Sequence, residues 1–388
     1  MEVKEIEAIN AKLINYIEKE EYQGYDPYDT LNSPLPFGLI GKWGKPIAIQ
    51  IQKRNPLNLR PLIGIKKGYN PKAMGLFLQA YSLRYQRTKE AELLPKMDGL
   101  YNWLIEQSTK GYSGYCWGYN FDWASSVKFL PAYSPTIVVS CFVAKGIRAY
   151  YTATKKQEAL EVLKSIATFI DQDLEKTEDE DGTCISYSTI EPDCCYNASM
   201  LGAELFAFLY AQTNEQRYQE LALKASRFVV AKQKRDGRWN YSINLETGKE
   251  RTQVDFHQGY VLDSLAYVMH CIPEAKREFE PAWQKGTDFY AKNQFVSGRA
   301  LYRYPSVWPV DIHNQAQGII SFSRWKRNAE DLKLADSIVE YSSKEMRSSK
   351  GYFYYKKYPW VTIKTPFIRW AQGWMWLALE EYLKASHE

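Results

Sequence analysis

Two short patches place an aspartate two residues ahead of a histidine: Asp255-Phe-His257-Gln258 and Asp311-Ile-His313-Asn-Gln315. The chain has only four histidines, His257, His270, His313 and His387, and two of them occupy the same place in this pattern. A third patch, Asp193-Cys-Cys-Tyr196-Asn197, keeps the aspartate without the histidine. Paired carboxylates are what glycosidic bond cleavage needs, one held protonated by burial and the other ionised as base or nucleophile. Asp193 and Asp255 are the expected acid and base, with His257 and His313 orienting a sugar or sharing the proton transfer. Asp122 and Asp311 are further carboxylates for the same cleft. Each aspartate also has an ordinary structural role open to it, as a helix N-cap. Asp and His together raise the question of a divalent metal. Side chains at i and i+2 diverge on a helix, however, and no His-x-x-x-His occurs. Neither a metal nor a cofactor is expected.

Aromatic residues surround these patches. Five loops open on or near glycine and carry Tyr or Trp: 111–119, 181–188, 236–242, 298–304 and 351–355. Sugar rings have apolar C–H faces that stack on aromatic rings, while their hydroxyls need polar partners, and Tyr and Trp offer both. Trp117, Tyr119, Trp239, Tyr241 and Trp374 are expected to stack on a sugar, and Trp123 to bind it. Tyr196, Asn197, Gln258, Gln315, Trp370 and Gln372 are expected to line the same cleft. Arg369 is a candidate clamp for a carboxylate such as that of a uronic acid, or else an anchor for the last helix. Asp26 and Asp29, in Gly24-Tyr-Asp-Pro-Tyr-Asp29, either form Asx-type turns or fold over the mouth to meet sugar hydroxyls.

The elements that must position these residues follow from periodicity. Twelve helices are predicted, near 3–20, 71–87, 91–108, 135–153, 156–173, 196–213, 215–233, 256–271, 275–293, 313–327, 329–346 and 366–385. Two kinds alternate. Segment 156–173 has a one-sided apolar stripe through Ala159, Val162, Leu163, Ile166, Phe169 and Ile170, so one of its faces is wet. Segment 200–209 is apolar nearly all round and must be buried on both sides. Outer and inner helices in strict alternation imply an all-α, (α/α)6 toroid with the aromatic loops on one rim. A spacing of roughly 55–65 residues per unit is too long for a small solenoid repeat. The whole of 1–388 is expected to be this single toroid. Segment 21–70, rich in proline, is the exception: an ordered, irregular excursion over the rim, with a short strand at 47–51.

Bulk properties narrow the partners. The net charge is +5 and spread along the chain, unlike a nucleic-acid-binding stripe. No apolar run approaches the roughly 18–20 residues of a membrane span. The N-terminus reads as a charged amphipathic helix and not as a signal peptide. The six cysteines show no CxxC spacing and read as buried thiols in a reducing compartment. A cytoplasmic location follows, with the oligomeric state open.

Three resemblances bear on the fold. Gln233-Lys-Arg-Asp-Gly-Arg-Trp239 is similar to the QW-type repeat of terpene-cyclase toroids, without their aspartate-rich motif. Arg369-Trp-Ala-Gln-Gly-Trp374 resembles a helix of the unsaturated glucuronyl and rhamnogalacturonyl hydrolases, which are six-hairpin glycosidases. Segments 25–33, 67–73, 255–260 and 369–374 together look like a six-hairpin-glycosidase-like family associated with bacterial exopolysaccharide and capsule biosynthesis. That resemblance implies a carbohydrate-linked role and no defined reaction. The favoured reading is a glycoside hydrolase-like enzyme acting on an oligosaccharide or a polysaccharide precursor. A uronate epimerase or polysaccharide lyase on the same fold is the alternative, and a non-catalytic glycan-binding or scaffold protein is a third.

Overall fold

Helix α7 (Tyr196–Thr213) shows how the sequence sets the architecture. From Tyr196 to Leu209 every residue is buried, so the helix has neighbours on all sides. Helix α6 (Gln157–Gln172) buries its predicted stripe with the adjacent Leu160 and Ala167, and leaves Glu158 and Glu161 exposed. The computed structural model, which describes residues 1–125 and 129–387, repeats this contrast around a closed ring. The inner helices are α3 (Pro71–Thr88), α5 (Ile137–Thr154), α7, α9 (His257–Cys271), α11 (Ile312–Arg324) and α13 (Trp374–His387). Each packs on the next, and α13 returns to α3. The outer helices are α1 (Val3–Lys19), α4 (Leu93–Glu106), α6, α8 (Gln216–Ala231), α10 (Lys276–Asn293) and α12 (Ala329–Glu345), and α1 leans on α13 to close the outer layer. This is the (α/α)6 toroid. The inner helices cross tightly where side chains are absent: a Cβ on Gly75 of α3 would lie 2.8 Å from the Val143 Cα of α5.

The loops ahead of α7, α9, α11 and α13 are braced by short antiparallel pairings, such as Asp311 with Lys356 and Cys195 with Ser242. One repeated device pins them. Gln315 accepts a hydrogen bond from the Ala300 N–H at 2.5 Å and donates to the Gly298 carbonyl at 2.9 Å. Gln258 does the same with the Trp239 N–H and the Gly237 carbonyl, and Gln372 with both main-chain groups of Phe353. Ser140 and Ser199 accept from Trp117 and Ile185 at the corresponding places. The glycine that leads such a loop is there because the loop lies against an outer helix. Gly298 has φ +74°, and a Cβ on it would fall 2.1 Å from the Ser337 carbonyl of α12.

Segment 21–70 departs from expectation at one point. Residues 47–51 are not a strand but part of helix α2 (Gly44–Arg54), entered through a 3₁₀ turn at Phe37–Trp43. The alternating Ile47-Ala-Ile-Gln-Ile51 reads as a strand by period two. Among the described residues no neighbouring strand receives it, and a helix satisfies the backbone internally. Helix α2 lies across the mouth of the ring. Its Lys45 ammonium sits 4.4 Å from the Phe129 ring on one side, and Lys53 sits 4.0 Å from the Tyr28 ring on the other. A buried ion pair of Asp26 with Arg369 holds the excursion to the ring, and a second, Asp29 with Arg60 at 2.7 Å, ties the excursion together internally.

Candidate active site at the toroid mouth

The N-terminal ends of α9, α11 and α13 bring His257, His313, Trp370 and Trp374 together. His313 caps nothing itself; its own N–H is capped by Asp311 at 3.0 Å. The Asp311 carboxylate also accepts from the Trp370 indole N–H at 2.8 Å and pairs with Lys356 at 3.2 Å. All of these groups are buried. Asp311 is thus a buried anchor for the start of α11, for Trp370 and for Lys356.

Asp255 holds His257. Its Oδ1 lies 2.5 Å from the ring Nδ1 and accepts the His257 main-chain N–H at 3.2 Å. Its Oδ2 accepts from the Gln253 amide at 2.7 Å, with the Arg303 guanidinium 3.9 Å away. Burial works against the charged carboxylate. The His257 ring, its N–H and Gln253 outweigh that, and hold the Asp255 pKa below the usual carboxylate value. Asp255 is 4% exposed, whereas the His257 side chain keeps 19% exposure. The carboxylate therefore faces inward and the imidazole faces the mouth. With Nδ1 engaged by Asp255, Nε2 is the nitrogen left to exchange a proton.

The second histidine lies across one ring. Phe256 has its centroid 4.1 Å from that of His257 and 4.0 Å from that of His313, nearly parallel to the latter. His313 is 1% exposed, and its Nε2 lies 2.5 Å from the Tyr260 hydroxyl. Burial, with Lys72, Arg369 and His257 nearby, drives its pKa well below the ordinary value, so it is a neutral imidazole. Trp374 lies 4.4 Å from it and stacks on Tyr260. Below them the Lys72 ammonium sits 3.9 Å from the Phe142 ring and 5.3 Å from that of Trp374, with no ion pair among the described residues. Burial lowers its pKa well below that of a free lysine. Lys53 is lowered to about 7, first by burial and then by Lys356.

Of the expected residues, Asp255, His257, Asp311, His313, Trp370 and Trp374 form one contact cluster. Tyr241 joins it, edge-on to the His257 ring at 4.8 Å. Asp193 stands nearby on the half-buried strand entry to α7, where it accepts from the Tyr187 N–H at 2.8 Å. Tyr119 lies 4.8 Å under the Arg369 guanidinium. Asn197, buried at the start of α7, contacts the Cys195 thiol. Asp122 accepts from the Ala132 N–H, and Trp123 pairs with Leu130, both within the hairpin beside α2.

Other expected residues lie elsewhere. Trp117 and Trp239 are buried between the helix layers, where their indoles donate to the carbonyls of Leu104 and Val229. They cannot stack on a ligand at the mouth. Tyr196 turns outward, against Phe228 of α8 and Glu250. Gln258, Gln315 and Gln372 spend their amides on pinning loops. Asp29 is consumed by Arg60, with burial pushing its pKa up to about 6. Arg369 is not open for a uronate, because Asp26 engages it through two contacts of 2.6 and 2.8 Å. Residues that the patterns did not single out are Tyr28, Lys53, Lys72, Phe142, Tyr260 and Lys356. Lys72 and Tyr260 were detectable: one follows the Asn70-Pro71 helix start, and the other lies one turn after His257. Among the described residues no group of three or more His, Cys, Asp or Glu is placed to hold a metal ion.

A closed ring of helix pairs with this mouth defines the class of six-hairpin, glycosidase-like toroids. Residues 60–258, more than half of the chain, match the model of the beta-L-arabinofuranosidase GH127 catalytic domain, and the chain belongs to that carbohydrate-active family. The match includes Lys72, Asp193, Asp255 and His257. No curated protein matches the sequence. Among solved structures, cellobiose 2-epimerase from Bacillus thermoamylovorans superposes with a TM-score of 0.63 at 15% identity, over 81% of this chain and 88% of its own. A GH76 alpha-mannanase of Bacteroides thetaiotaomicron gives 0.63 at 14% identity, over 82% and 87%. A possible member of the GH105 family from Salmonella enterica gives 0.62 at 14% identity, over 99% and 94%. These likenesses establish the fold.

Proposed function

We propose that the protein is a glycoside hydrolase acting on an oligosaccharide or a polysaccharide precursor, with an arabinofuranose-like sugar as the unit removed. The observation that carries the reading is the Asp255–His257 pair at the mouth of the ring, inside the segment that matches the family. Asp255 orients the imidazole and offsets positive charge on it. His257 then exchanges the proton at the glycosidic oxygen or at water. Asp193, near enough to Tyr241 for its charge to act on the phenol, would supply the second carboxylate. The sugar stacks against Tyr241 and the edge of Trp370, with Trp374 buried behind them. Asp255 differs here from the direct acid or base that its sequence suggests, because both of its oxygens already accept hydrogen bonds. A role in capsule or exopolysaccharide assembly and a cytoplasmic location fit this reading. The test is release of free sugar from arabinofuranose-terminated oligosaccharides by the wild-type protein and by His257→Gln. Loss of release in the variant, with an unchanged melting temperature, supports the assignment.

A second reading rests on the two imidazoles that flank Phe256. His257, the one of the two that keeps solvent exposure, would take a proton from a sugar carbon and return it, with the buried His313 supporting it through Phe256, which suits epimerisation. Incorporation of deuterium from solvent, with the glycosidic bond intact, would favour it over hydrolysis.

A further inference from the structure

The outer surface of the excursion carries an apolar stripe that nothing among the described residues covers. Leu35, Leu39, Trp43, Ile47 and Ile51 recur at intervals of four residues, through the 3₁₀ turn and along α2. Their exposures run from 47% at Leu35 to 84% at Leu39. The opposite face of α2 is already satisfied: Gly44, Ile49 and Gln52 are buried against the mouth. A helix amphipathic in this sense would normally turn Trp43, Ile47 and Ile51 inward. Here the side turned to solvent is the more apolar one, since the buried side includes Gln52.

The charge around the stripe is one-sided. No Asp or Glu occurs between Asp29 and Glu90, a stretch that contains Lys42, Lys45, Arg54, Lys66 and Lys67. Lys42, Arg54 and Lys66 are exposed, and Lys67 is paired with Glu20. The overall charge is only +5, so this is a local concentration of positive charge.

We propose that the excursion over the toroid mouth is a peripheral membrane-docking element, whose Trp43–Ile47–Ile51 stripe enters the headgroup region of an anionic lipid bilayer. The chemistry matches on three counts. Leu, Ile and Trp on one helix face, rimmed by Lys and Arg, have the composition of helices that lie in an interface. Juxtamembrane basic residues are attracted to anionic headgroups. The stripe lies on the solvent-facing side of α2, opposite the buried Ile49 and Gln52, so it is open to a planar surface. A second copy of this chain fits less well. A two-fold contact through the stripe would set Lys42 and Arg54 of one copy against the same charges of the other. The inner face of α2 carries Lys53 to the mouth, so docking would also place the mouth toward the bilayer.

The test is co-sedimentation of the full-length chain with vesicles. One set is phosphatidylcholine with about one-third phosphatidylglycerol, the other phosphatidylcholine alone. The wild type is expected to pellet with the anionic vesicles, to do so less as salt is raised, and to stay largely in solution with the neutral ones. Ile47→Ser/Ile51→Ser and, separately, Lys42→Glu/Arg54→Glu should each weaken binding by about tenfold or more. All four positions are solvent-facing, and an unchanged circular dichroism melt confirms that the variants fold. Absence of binding to anionic vesicles, or equal binding by either variant, overturns the proposal. So does a wild-type dimer that Ile47→Ser/Ile51→Ser converts to a monomer, since the stripe would then belong to a second copy.

Discussion

Asp255→Asn isolates charge from shape in the proposed catalytic pair. The amide is nearly isosteric with the carboxylate, and its oxygen still accepts the His257 N–H that starts α9. What disappears is the negative charge 2.5 Å from Nδ1. When His257 takes up a proton during turnover, that charge stabilises the imidazolium. With charge centres about 4 Å apart and an effective dielectric near 20, the attraction is about 4 kcal/mol. Lost from the transition state, this lowers kcat by about a thousandfold. A second effect acts in the same direction: the new NH2 group must face either the Gln253 amide or Nδ1, and in the latter case it selects the wrong tautomer. The assay is kcat and KM for sugar release from an arabinofuranose-terminated substrate, beside a thermal melt. KM should change little, because Asp255 is buried beneath His257. The pH dependence carries a sign as well. The folded-state pKa of Asp255 is depressed, so its contribution to stability is present above the unfolded value and is lost as pH falls through the folded one. Asn at this position should flatten that acid-side loss. A variant that folds normally and keeps kcat within about tenfold of wild type would refute the reasoning, since general acid–base groups contribute about a hundredfold or more.

Glu204, buried with Lys145 at 2.6 Å and Arg148 at 2.9 Å, has its pKa held at about 2 by those cations against the penalty of burial. It should contribute about 3 kcal/mol above its unfolded pKa, lost as pH falls toward 2, and urea titrations of wild type and Glu204→Gln across that range would show it. Asp26→Asn leaves the buried Arg369 guanidinium without its partner and should cost about 3–5 kcal/mol in denaturant unfolding. Gln315→Ala strands the buried Ala300 N–H and should cost about 1–3 kcal/mol, with little effect on catalysis if the glutamine only pins its loop.

The ring was legible in the sequence because burial on all sides, as in α7, and burial on one side, as in α6, leave different apolar patterns. The aromatic loops were legible for the same reason, as a recurring interruption between those patterns. Their meaning was harder to read. Trp117 and Trp239 share residue type and repeat position with a stacking residue, yet they serve the seam between helix layers. Only the direction of the indole N–H, toward Leu104 or Val229, separates the two roles. The glutamines that follow the aspartates likewise form loop clips, which sequence spacing cannot distinguish from ligand contacts. The pairing of Asp26 with Arg369 joins residues 343 positions apart and has no local signal. Helix α2 was misread because three isoleucines at alternate positions imitate a strand, and the hydrogen bonding of its backbone decided the matter. The Asp-x-His pattern was the strongest local signal, and both copies lie at the mouth. Their roles diverged there: Asp255 meets the His257 ring, whereas Asp311 meets only the His313 N–H and turns to Trp370 and Lys356.

The central claim is that His257, held by Asp255, transfers the proton that breaks a glycosidic bond. The most direct measurement is proton NMR of arabinofuranose-terminated oligosaccharides incubated in D2O with wild-type protein and with His257→Gln. Free sugar is expected from the wild type, none above background from the variant, and no deuterium on the carbons of the released sugar. Sugar release by His257→Gln at the wild-type rate would contradict the claim.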